Sequence, residues 1–85
     1  MDLHVTRQQY DAIGSAKHLP DVLKSVLDRA KRDGDGHVLR LTYEEATALN
    51  ELCSWNVHTN ESGAVTPDSK VYDDLVRAIM THPEF

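Results

Sequence analysis

A single cysteine, Cys53, rules out a disulfide within the chain. Aromatic residues are also scarce, with one tryptophan, one phenylalanine and three tyrosines among 85 residues. No apolar run approaches the length needed to cross a bilayer. The first residues carry His4, Arg7, Gln8, Gln9 and Asp11 where a secretory leader needs a continuous apolar stretch, so no signal peptide is expected. With so little cysteine, the expected location is the cytoplasm.

Basic charge is in short supply as well. Nine Lys and Arg stand against fourteen Asp and Glu, a formal charge of -5, which weakens a general nucleic-acid role because phosphate is ordinarily met by excess base. The bases are unevenly spread. Arg29, Lys31, Arg32, His37 and Arg40 gather mid-chain and define a possible patch for nucleic acid or an acidic partner, whereas Glu44, Glu45, Glu51, Glu61, Asp68, Asp73 and Asp74 dominate later.

Motifs of chemistry are missing too. The histidines at 4, 18, 37, 58 and 82 are scattered, and none pairs with another or with Cys53 at a compact metal-ligand spacing, so no metal is expected. The Asp33-Gly34-Asp35-Gly36 turn fails as a calcium loop, since centring it on Gly36 puts Lys31 and Thr42 at the two ligand ends. Gly34 and Gly36 precede a strand, whereas a phosphate cradle follows one and opens a helix. Sets such as Ser54, His58 and Glu61, or Cys53, His58 and Asp68, are defined only by proximity in sequence and carry no weight as a hydrolase site. No cofactor and no catalytic residue are expected.

What the chain does contain is local grammar. Leu3 and Val5 alternate with polar neighbours as in a short strand, and Thr6 then stands at a helix cap with Gln9 three residues later to complete a capping box. At an offset of 36 residues, Leu39, Leu41, Thr42 and Glu45 repeat that device. Two helices are expected to begin directly after strands.

The first helix ends by Lys17 or His18, and a second starts near Pro20. Its stripe of Val22, Leu23, Val26, Leu27 and Ala30 is the cleanest amphipathic pattern in the chain, and Arg29, Lys31 and Arg32 are expected to close it before the glycine turn. Ala46, Leu49, Leu52 and Cys53 supply the buried side of the third helix. Asn56 to Val65 predicts a flexible loop, and Thr66-Pro67 opens a final helix with two apolar rows, Val71, Leu75, Ile79 and Tyr72, Val76, Met80.

The expected fold is α+β: one compact domain over residues 1–85, with a two-stranded sheet covered by about four helices in the order β-α-α-β-α-α. The expected function is a small non-enzymatic adaptor, inhibitor or regulatory subunit that binds another protein or a second copy of itself, with self-association as a dimer expected. Tyr43, Trp55, Tyr72, Val76 and Met80 are the candidate interface residues, being types favoured at interface centres or lying on the unclaimed face of the last helix. The alternatives are a nucleic-acid-associated regulator using the central basic patch and, less favoured, a small hydrolase. No membrane association is expected.

Overall fold

The computed structural model describes every residue from Met1 to Phe85. Its elements run β1 (Asp2–Val5), α1 (Arg7–Ser15), α2 (Asp21–Arg29), β2 (Lys31–Asp33), β3 (Gly36–Arg40), α3 (Tyr43–Trp55) and, after a 3-10 turn over Pro67–Ser69, α4 (Lys70–Met80). The class is α+β with four helices. None of them is long and apolar enough to cross a membrane.

The sheet has three antiparallel strands in the order β1-β3-β2, where the sequence predicts two. The additional strand comes from Lys31, Arg32 and Asp33, expected at the end of α2. That helix stops at Arg29 because Ala30 is already extended, and the chain then folds into a hairpin in which Lys31 pairs with Val38 and Asp33 with Gly36. Gly34 is the first of two loop residues and takes φ +58, the conformation that a tight primed hairpin turn assigns to glycine. The Asp-Gly-Asp-Gly segment is thus a strand-to-strand turn. The element order becomes β-α-α-β-β-α-α.

Both capping boxes form. Thr6 Oγ1 accepts from Gln9 N at 3.1 Å while Gln9 Oε1 accepts from Thr6 N at 2.8 Å. The same pair of bonds joins Thr42 and Glu45 at 3.1 and 2.9 Å. Because Leu3 pairs with Leu39 across antiparallel strands, β1 and β3 deliver their chains into α1 and α3 at opposite ends of the sheet. Gly36 lies where those two strands come closest: a Cβ there would collide with the carbonyl oxygen of Val5.

The helices cover one face of the sheet. Leu3, Val5 and Leu39 point into the core with Ile13, Leu23, Val26, Leu49, Leu75 and Ile79, while Asp2, His4, Lys31 and Arg40 remain exposed. Tyrosine hydroxyls fasten the cover. Tyr10 on α1 donates to the carbonyl of Leu27 on α2 at 3.0 Å, and Tyr72 on α4 donates to the carbonyl of Ala12 on α1 at 2.9 Å. The ring of Tyr10 also stacks on His37 of β3, with centroids 3.8 Å apart.

The segment between α3 and α4 folds back on itself. Thr59 bridges Val65, and the buried Ser69 hydroxyl accepts from the backbone amide of His58 at 3.1 Å. Asn60 Oδ1 accepts from the amides of Ser62 and Ala64, closing the tip around Gly63.

Candidate functional site: a groove between two helices beside Trp55

α1 ends at Ser15, and the chain must turn sharply to reach α2. His18 makes that turn with φ +64, a left-handed conformation that costs a side chain bearing Cβ about 1 kcal/mol. Pro20 follows as the cap residue of α2, its fixed φ suited to a helix start. Once Leu23 and Val26 take the inner face, Val22 is turned outward and stays 45% exposed.

On α3 the inner row is Ala46, Leu49 and Cys53, with Leu52 beside it. The next row outward, Ala48, Glu51 and Trp55, recurs at helical spacing and faces the start of α2. An open groove of about 560 Å³ lies between them. Pro20, Val22, Ala48 and Leu52 make its apolar walls, and His18, Glu51 and Trp55 its rim. Trp55 is 81% exposed, the highest value for any large apolar side chain in the protein. Its indole is also a ridge, because a second hollow formed with Asn50, Glu51, Ser54 and Val57 lies along its other side.

The electrostatics here are one-sided. No Lys or Arg occurs between Arg40 and Lys70, so α3 and the segment after it carry acids alone. Glu51 belongs to both hollows and has no ion-pair partner. No Lys or Arg lines either hollow, and Lys24 on α2 is paired with Asp21 at 3.3 Å.

The other predicted interface residues are dispersed. Tyr43 and Trp55 begin and end α3, about 18 Å apart along its axis, and Tyr43 stacks on Phe85 with centroids 5.5 Å apart. Tyr72 is half-buried and spends its hydroxyl on Ala12, and Val76 packs half-buried against the core. Met80 is exposed, with its sulfur 3.8 Å from the amide nitrogen of Asn50, which places it next to the hollow behind Trp55.

Of the five central bases, Arg29 and Arg40 line one shallow hollow, Arg29 donating to the Arg40 carbonyl, and Arg32 pairs with His37 across β2 and β3. Arg29 donates to both carboxylate oxygens of Glu45 at 3.1 and 3.2 Å, Arg40 meets Asp2 at 3.4 Å, and His37 lies under Tyr10. Lys31 and Arg32 occupy the exposed edge strand without ion pairs, and as neighbours in a strand they project to opposite faces.

Among the nucleophiles, the Cys53 thiol is fully buried, and burial pushes its pKa up to about 12, the reverse of an activated thiolate. Ser54 Oγ donates to the carbonyl of Asn50 at 2.8 Å. No group of three or more His, Cys, Asp or Glu side chains is placed to hold a metal ion.

Sequence reasoning singled out Trp55 by residue type but did not locate the groove it lines. His18, Pro20, Val22 and Glu51 join it only through the packing of α2 on α3; the available signal was the outward row Ala48, Glu51, Trp55 lying next to the buried one. Comparison with protein-family models, with curated proteins and with solved structures found no match for this chain.

Proposed function

We propose that this chain is a non-enzymatic protein-binding module, an adaptor, inhibitor or regulatory subunit, that seats an apolar side chain of a partner polypeptide in the α2–α3 groove beside Trp55. The exposure of Trp55 carries this reading. Fully burying a large apolar side chain stabilises a fold by about 1.5–3 kcal/mol, and this one is left outside at the rim of an apolar groove. Tryptophan is enriched among residues that dominate binding energy, and an apolar floor with a few polar groups at its rim suits a seated side chain.

The partner is a different polypeptide. No Lys or Arg lines the groove, so an isologous contact between two copies through this face brings no cation to the unpaired Glu51, and one whose two-fold axis passes there sets two carboxylates against each other. On the basic side of the molecule, Arg29 and Arg40 are committed to internal pairs, so nucleic acid is the weaker reading.

Site-resolved cross-linking tests the proposal. A photoreactive residue placed at Val22, in the groove, and another at His4, on the exposed sheet face, are compared in cells that naturally express the chain. A polypeptide captured from the Val22 position and absent from the His4 position is expected. Equal capture from both positions, capture of the chain by itself, or no capture overturns it.

A further inference from the structure

Glu51 and Trp55 are four residues apart on one face of α3, so their side chains stand one above the other at the same rim. An unpaired carboxylate beside an exposed indole is a receptor for a planar cation. We propose that the partner presents an arginine next to its apolar anchor: the anchor enters between Val22 and Leu52, and the guanidinium pairs with Glu51 while lying over the face of Trp55. This rests on the docking reading above and adds the charge and identity of the contacting residue.

Three observations support it. Glu51 is the one carboxylate that lines the groove, and no cation of this chain pairs with it. The stretch from Leu41 to Ser69 has no Lys or Arg of its own to compete for Glu51. None of the residues lining the groove is a Lys or Arg, so a cation at Glu51 has to come from the partner. Arginine fits better than lysine because its flat, weakly hydrated fork can meet both carboxylate oxygens and stack on an indole at once.

Trp55 is the sole tryptophan, so its fluorescence reports directly on this site. The probe is the capped tripeptide leucine-arginine-leucine, titrated into the full chain in the millimolar range and compared with versions carrying lysine or the neutral isostere citrulline at the centre. An exposed stacked cation and an exposed ion pair together correspond to about fivefold in affinity, so the arginine peptide is expected to bind about fivefold more tightly than the citrulline one. Lysine is expected to fall between them. In Glu51→Gln, a surface change that leaves the fold intact, the advantage of arginine over citrulline is expected to shrink to less than about twofold.

Equal binding of all three peptides overturns the arginine site while leaving the groove intact as a docking surface. Lysine binding as tightly as arginine, or an undiminished arginine preference in Glu51→Gln, also overturns it. No spectral change with any peptide counts against both the arginine site and the groove.

Discussion

Arg29 holds Glu45 from the last turn of one helix to the first turn of another. Its Nη2 lies 3.1 and 3.2 Å from the two carboxylate oxygens, and the same carboxylate caps the amide of Thr42 at 2.9 Å. One buried acid therefore starts α3 and fastens α2 to it. Arg29 also reaches the carbonyl of Arg40 at 3.3 Å, so the end of β3 joins the same junction.

That junction makes stability depend on pH. The backbone hydrogen bond from Thr42, the largest influence, and the hydrogen bond and charge of Arg29 hold the Glu45 pKa below its ordinary value against the opposing effect of burial. A folded-state pKa below the unfolded one means the contribution is complete above the unfolded value, about 4.3, and is lost as pH falls through the depressed folded value. Urea unfolding across this acid range is expected to show a smaller fall in stability for Glu45→Gln than for the native chain. At neutral pH that variant is expected to lose about 1 kcal/mol, since Gln9 in α1 shows that a neutral amide fills the capping position and only the Arg29 pair is weakened.

The caps themselves are open to the same measurement. Thr6→Ala and Thr42→Ala each remove the acceptor for an N-terminal helix amide and are expected to cost about 0.5–2 kcal/mol. Unchanged unfolding free energies in both would contradict the account of how α1 and α3 begin.

Gly36 and Gly34 answer to different constraints, and alanine separates them. At Gly36 the added methyl runs into backbone, the Val5 carbonyl, which cannot swing aside as a side chain can; a loss of about 2 kcal/mol or more is expected. At Gly34 nothing obstructs the methyl, and the cost is the left-handed backbone alone, about 1 kcal/mol. Chemical denaturation that ranked Gly34→Ala as the more damaging would contradict the close approach of β1 to β3.

The thiol of Cys53 is expected to be silent toward an aromatic disulfide reagent at neutral pH in the folded protein and to react at once in denaturant, because burial keeps it protonated and out of reach. Rapid labelling of the native protein would place α3 in another register.

How much of this was legible in the sequence follows from the range over which each feature is encoded. The capping boxes are three-residue patterns satisfied by the backbone beside them, so Thr6 with Gln9 and Thr42 with Glu45 could be read directly. The strand β2 could not: Lys31, Arg32 and Asp33 are all exposed at an edge, so no apolar alternation marks them, and two bases after an amphipathic stripe look like a helix end. The aromatic residues were ambiguous for a related reason. Tyr72 opens an apolar row on α4 and Trp55 stands at the end of α3, yet Tyr72 is claimed by the Ala12 carbonyl and Trp55 is left exposed, a distinction made only by tertiary packing. The ion pairs of Arg29 with Glu45 and Arg40 with Asp2 were hidden for the same reason, since those approaches depend on tertiary contacts.

On the proposed function, Trp55 serves a partner and not the fold. With its side chain 81% exposed, Trp55→Ala is expected to change the unfolding free energy by no more than about 0.5 kcal/mol. The decisive measurement is the yield of the cross-linked partner from the photoreactive residue at Val22, taken with Trp55 present and with Trp55→Ala in the same cells. A fall of about tenfold or more, as expected when a residue dominating the interface is removed, is the outcome this account requires. An unchanged yield would contradict it.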